Sequence, residues 1–167
     1  MDSKAISFHV CQIGQGKTGH YLKYRIGSSY AMEETQMLKK YNLRSDRENF
    51  HNITCMVTDA IRESGVQNGT CLIYCPHTTA GITINENADP DVVRDLLLGL
   101  NEAFPDRSQF HHAEGNSAAH LKASAMGSSA MVMIEGGKSL LGTWQGIYFC
   151  EFDGPRKRTF YVQIQGE

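Results

Sequence analysis

The chain has 167 residues and a formal net charge of −2, which suits one domain with a sizeable core and excludes a general nucleic-acid or membrane-surface binder. No apolar run reaches the length of a membrane span. Five cysteines without a CxxC pair exclude a disulfide framework, and the start Met1-Asp2-Ser3-Lys4-Ala5 has no signal-peptide character, so a cytoplasmic protein is expected.

Ile6, Phe8 and Val10 alternate with polar residues and predict a half-buried strand. The run Gly14-Gln15-Gly16-Lys17-Thr18-Gly19 resembles a phosphate loop only superficially. Cys11 stands where the first glycine of such a loop belongs, and a strand-like segment, His20 to Ile26, follows instead of a helix. It is read as a hairpin turn. Residues 27–49 are polar and weakly patterned; they are expected to be a surface insertion, with a short helix over 31–41.

Phe50 to Ile53 predicts a short strand. Thr54 is expected to cap a helix with the stripe Met56, Val57, Ala60 and Ile61, ended by Gly65. The run Thr70 to Tyr74 is apolar on both faces and reads as a central, covered strand. Cys71 and Cys75 share one of its faces and are expected in the core. Ile82 and Ile84 mark another strand. Asp89-Pro90 is a helix start, followed by a stripe of Val92, Val93, Leu96, Leu97 and Leu100. A further helix is expected over 117–126, with Asn116 as cap and Gly127 as stop. The remainder reads as an antiparallel meander through Met131–Glu135, a Gly136-Gly137 turn, Ile147–Phe152 and Thr159–Ile164. The expected class is α+β, a mainly antiparallel sandwich or barrel-like sheet system with about three helices in a single domain spanning 1–167.

Chemistry concentrates between Cys75 and His120, where four of the seven histidines lie together with many carboxylates. Imidazoles and carboxylates at element ends build divalent-metal and acid/base sites. Spacing alone does not unite them, because no tight ligand motif such as HExxH is present. On residues alone Asp89 serves equally as a helix cap, and Asp95 as a solvated helix residue.

Pro76-His77-Thr78-Thr79-Ala80-Gly81, Asn85-Glu86-Asn87, Gly115-Asn116 with His120-Leu121-Lys122, Gly142-Thr143-Trp144-Gln145-Gly146 and Glu151-Phe152-Asp153-Gly154-Pro155-Arg156 together resemble the YjbQ family. The likeness runs from about Phe50 to the C-terminus. It implies a compact antiparallel α+β fold, a homotrimer with sites near subunit contacts, and a polar cleft that holds a divalent metal in some members. It also implies thiamine-phosphate synthase activity, joining a pyrimidine pyrophosphate to a thiazole phosphate. Under that resemblance His77, His112 and His120 are the expected metal ligands, for zinc, or for magnesium if oxygen ligands dominate. Glu86, Asp89 and Asp95 are the expected acid/base groups, or else partners that orient the imidazoles or ligands of a magnesium ion. Thr78, Asn116, Lys122, Gln145 and Arg156 are expected to meet a phosphorylated substrate. Two other readings compete: a metal-dependent hydrolase of a phosphorylated or esterified metabolite, and a non-enzymatic trimer that binds an anion.

Overall fold

The computed structural model describes residues 7–16, 19–27 and 34–167. In chain order the elements are β1 (Ser7–Gly16), β2 (Gly19–Gly27), β3 (Glu34–Arg44), β4 (Asn49–Asn52), α1 (Thr54–Ser64), β5 (Gly69–Tyr74), β6 (Ala80–Glu86), α2 (Pro90–Ala103), α3 (Ser117–Met126), β7 (Ser129–Glu135), β8 (Lys138–Ser139), β9 (Gln145–Glu151) and β10 (Lys157–Gly166). The strands form two antiparallel sheets. The larger has the order β1-β2-β3-β10-β5-β7-β8 and the smaller β4-β9-β6. With three helices among the described residues, this is the α+β class that the residue pattern predicts. Among the described residues no helix is long and apolar enough to cross a membrane.

Period-two alternation decides which side chains enter the core. Met37 and Tyr41 of β3, Cys71 and Ile73 of β5, Val132 and Ile134 of β7, and Phe160, Val162 and Ile164 of β10 all face inward. They meet Ile82, Ile147 and Phe149 of the smaller sheet, and α1 closes one end with Val57, Ala60 and Ile61. The other face of the smaller sheet carries Phe50, Tyr148, Cys150 and Phe152, on which α3 lays Ala119 and Ala123 and α2 lays Val93, Leu96, Leu97 and Leu100. Strand β9 is therefore covered on both sides. Helix α2, by contrast, has no fully buried residue.

The hairpin reading fits the antiparallel pairing of β1 with β2, Gly16 opposite Gly19; Lys17 and Thr18 lie outside the described residues. Three expectations need correction. Within the supposed surface insertion and helix, residues 34–44 form a strand paired with β10 on one side and β2 on the other; residues 28–33 lie outside the described region. The inward residues Met37, Lys39 and Tyr41 are nearly inaccessible, and Lys39 tolerates this because Glu63 of α1 takes its ammonium at 2.6 Å. Strand β5 is central but covered on one face only: Cys71 and Ile73 are buried, whereas Tyr74 is 44% exposed. Thr54 is not a cap but the first residue of α1. Its hydroxyl accepts the Ile147 amide at 2.8 Å, and Asn52 accepts the Thr54 amide at 2.9 Å. The cysteine reading fits: burial pushes the Cys71 thiol up to about 12 and Cys75 to about 11, values of inert core thiols.

Candidate functional site

Helix α3 follows Asn116 and presents Ser117, His120 and Ser124 on one side, since residues three and four apart share a face. The loop before it brings His112 back over that side. The two imidazoles lie edge to face, with ring centres 5.2 Å apart. With Phe110 and Leu121 they line an open cleft of about 420 Å³. This volume suits a small metabolite.

His77 does not join them. It sits in the loop after β5, packs edge-on against Phe149 at 6.5 Å, and its Nε2 accepts the Thr159 amide at 2.9 Å. That bond needs an unprotonated ring nitrogen. Burial, and then the nearby Arg158 charge, pull the His77 pKa below the ordinary histidine value. Among the described residues no group of three His, Cys, Asp or Glu side chains is disposed to hold a metal. The expected three-histidine centre is thus not assembled by one copy. His112 and His120 have the donor chemistry of a zinc-type site, but a catalytic centre of that kind takes a third protein ligand. The pair fits half of a metal centre.

The expected acid/base groups lie apart from the cleft. Asp89 is the α2 cap, its Oδ1 accepting the Asp91 amide at 2.9 Å. Asp95 is exposed along an apolar groove on α2 with Val92, Leu96, Gly99 and Leu100, with Arg94 at 3.9 Å. Glu86 ends β6 opposite Gln145. Helix α3 meets β6 at the other end, where Ile82 donates to the Gly127 carbonyl at 3.1 Å. Seven residues of strand span roughly 20 Å.

The expected phosphate partners are largely engaged. Lys122 is 4% exposed, and its ammonium donates to Glu48 and to Asn101, both at 2.7 Å. It ties α3 to α2 and to the turn before β4, and so is a structural clamp. Arg156 pairs with Asp153 at 2.6 Å. Asn116 donates to the same Asp153 carboxylate at 2.9 Å; it occupies the cap position of α3 without capping, and its Oδ1 is buried without a partner among the described residues. Gln145 accepts the Gly142 amide at 2.8 Å and closes its own turn. Thr78 is exposed in the loop before β6.

Sequence reading passed over the most enclosed charged group among the described residues. Glu151 of β9 is fully buried, and Arg158 of β10 is 6% exposed. The guanidinium meets both carboxylate oxygens, Nε at 2.7 Å and Nη2 at 2.5 Å. Ser45 donates to the carboxylate at 2.6 Å, the Asp153 amide at 2.8 Å, and Arg158 reaches the Thr79 hydroxyl at 2.9 Å. Burial opposes ionisation of Glu151 most strongly, yet these donors hold its pKa below the usual carboxylate value. The signal was available: Arg158 is in phase with Phe160, Val162 and Ile164, and Glu151 with Ile147 and Phe149.

The profile of the family described as "UPF0047 protein YjbQ-like" matches residues 39–167. This chain belongs to that family. Among its curated YjbQ-like relatives, the UPF0047 protein YugU of Bacillus subtilis is 52% identical over 132 residues, covering 78% of this chain and all (100%) of that protein. The UPF0047 protein MJ1081 of Methanocaldococcus jannaschii is 53% identical over 133 residues, 79% of this chain and 96% of that one. Solved structures agree on the fold. A YbjQ-like protein of unknown function from Sulfolobus solfataricus superposes with a TM-score of 0.77 at 32% identity, covering 80% of this chain and 99% of that one. An uncharacterized conserved protein of the YjbQ/UPF0047 family from Clostridium acetobutylicum does so with a TM-score of 0.73 at 57% identity, covering 75% and 98%.

Proposed function

We propose that this YjbQ-like protein is a homotrimeric transferase acting on a pyrophosphorylated small molecule, of the thiamine-phosphate synthase type, with the His112–His120 cleft as its reaction site. The observation that carries the reading is the pair of imidazoles 5.2 Å apart inside a cleft of about 420 Å³. Phe110 and Leu121 offer apolar walls for a ring, and the Ser117 and Ser124 hydroxyls offer donors for phosphate oxygens. In the absence of a bound ion, either imidazole could take or return a proton at the reacting centre. His112 and His120 would hold a zinc-type ion with a further ligand from a second copy, and such an ion supplies positive charge against a leaving pyrophosphate. Assembly of copies is supported by exposed apolar side chains on the outer face of the large sheet, Leu38, Tyr74, Met131 and Met133.

A metal-dependent hydrolase is the second reading, and one observation favours it. Lys122 and Arg156, the cations expected at a pyrophosphate, are both ion-paired within the protein, whereas hydrolysis needs chiefly an activated water. Both readings meet in one experiment. Protein of measured metal content and measured mass, expected at three times the 18.6 kDa chain, is incubated with the pyrimidine pyrophosphate and the thiazole phosphate. Coupled product that disappears in His120→Ala supports the transferase. Release of phosphate or pyrophosphate without coupling supports the hydrolase. Thermal stabilisation by the substrates without turnover, from metal-replete protein, overturns both and leaves a binding protein.

A further inference from the structure

The β1–β2 hairpin has no part in the histidine cleft, and the family match begins at residue 39, after both of its strands. Its residues are nevertheless patterned. Positions paired across antiparallel strands lie on the same face of a sheet. Leu22, Tyr24 and Ile26 of β2 pair with Leu38, Gln36 and Glu34 of β3. Those β3 positions form the outer row, because Met37, Lys39 and Tyr41 between and beyond them are buried on the core side. Phe8, Val10 and Ile13 of β1 pair in turn with Ile26, Tyr24 and Leu22. All six thus fall on the outer face of the sheet. His9, Gln12, Lys23 and Arg25 fall on the opposite face, and Tyr21, paired with Lys39, is the aromatic exception there.

The irregularity in β1 serves this pattern. Positions 8, 10 and 13 are out of step with a period of two. The register shifts between Val10 and Gln12 and leaves Cys11 without a partner. That extra residue returns Ile13 to the face of Phe8 and Val10.

The face continues across the main sheet. One row of paired positions runs through Ile13, Leu22, Leu38, Gln163, Leu72 and Met131, polar only at Gln163. Helix α1 packs on the core side and α2 and α3 on the smaller sheet, so no described element covers the row. At about 4.8 Å between strands and about 20 Å of strand length, β3, β10, β5 and β7 offer about 400 Å² of flat area, and the hairpin raises it to about 600 Å². With the relief of its side chains, such a face approaches the roughly 800 Å² per partner of a stable contact.

We infer that the β1–β2 hairpin is an assembly arm that carries Phe8, Val10, Ile13, Leu22, Tyr24 and Ile26 onto a second copy of this chain. The inference rests on the assembly of copies proposed above, and assigns to the hairpin a share of that contact. A second copy suits the face because no Asp, Glu, Lys or Arg stands at the hairpin positions on it; the hairpin's Lys23 and Arg25 stand on the other side. Identical surfaces then meet without like-charge repulsion.

The test is sedimentation of the full chain over a dilution series. The wild type is compared with the double variant Val10→Lys, Ile13→Lys and with Ser7→Lys, a control on the opposite face. The double variant should dissociate at a concentration at least about tenfold higher than the wild type, and Ser7→Lys at the wild-type concentration. A hairpin that fails to fold would give the first result too, so hydrogen exchange of the wild type is followed above and below its dissociation. The β1 and β2 amides should exchange at least about tenfold more slowly in the assembled protein. A wild type that stays a single chain at every concentration overturns the inference together with the assembly. Equal dissociation of wild type and double variant, or equal hairpin exchange in the two states, overturns the inference alone. Single chains that sediment with phosphatidylcholine vesicles would also overturn it, since lipid would then be the cover.

Discussion

Glu151 and Arg158 have the least access to water of any oppositely charged pair described here, and their geometry closes on itself. Two parallel hydrogen bonds join them, and Ser45, Thr79 and the Asp153 amide take up remaining lone pairs and donors. A pair satisfied in this way is held without large strain, but half of it is not. Arg158→Met should therefore cost about 3–5 kcal/mol in denaturant unfolding, because it leaves a buried carboxylate alone. The double variant Arg158→Met with Glu151→Leu should recover most of that loss. If the single variant costs no more than an ordinary surface change, the carboxylate is not buried as described. Residue-scale legibility follows the same logic. Asp89 could be read as a cap because a cap is a local device, complete within three residues. Alternation could have placed Arg158 inside, but Ser45 and Thr79 are brought to it from distant segments. Lys122 could not be read correctly at all: its partners Glu48 and Asn101 come from other elements, and nothing in its own neighbourhood announces them.

At the scale of elements, strong periodicity was legible and interrupted periodicity was not. The α2 stripe, the Gly65 and Gly127 stops and the β7 alternation all stand where the residues put them. Strand β3 escaped because Lys39 sits between Met37 and Tyr41 in the inward row, and a lysine reads as solvent until its Glu63 partner is known. Strand β5 was taken as covered because Leu72 and Tyr74 are apolar, yet no described element lies over that face. The joining of elements also yields a prediction. His77 fastens the loop after β5 to β10 through the Thr159 amide, and it does so only when Nε2 carries no proton. Its pKa is lower in the folded protein than in the unfolded chain, so the unfolded chain takes up the proton first. Stability should be whole above about pH 6.5, the unperturbed histidine value, and should fall as pH drops through it toward the folded value. His51, lowered by burial against weaker opposing charges of Glu151 and Asp46, acts in the same direction. Urea unfolding between about pH 7 and about pH 5 should show the decline in the wild type and a shallower one in His77→Gln. Equal slopes would mean that the His77 bond is not part of the fold's acid sensitivity.

For the whole molecule, the question is where the folding unit begins. The family match starts at residue 39, inside β3, and YugU aligns along its full length with 78% of this chain. The relatives' fold therefore does not need the β1–β2 hairpin. This chain does need β3, which pairs with β10 from Thr35 to Arg44 and seals Met37 and Tyr41 into the main core, the latter stacked on Phe160 at 5.0 Å. Removing residues 1–33 exposes one edge of β3 but leaves its β10 partner and its buried face. That truncation should unfold cooperatively, with a loss of no more than a few kcal/mol, since an edge strand keeps half its ladder. Removing residues 1–44 deletes two large buried side chains, and also the Lys39 partner of Glu63. Each such side chain is worth about 2–5 kcal/mol when emptied from a core, and the two together rival the total stability of a domain this size. The longer truncation should show no cooperative transition by circular dichroism in denaturant. A shorter truncation that fails to fold would mean that the hairpin is part of this chain's core and that its fold has outgrown that of its relatives.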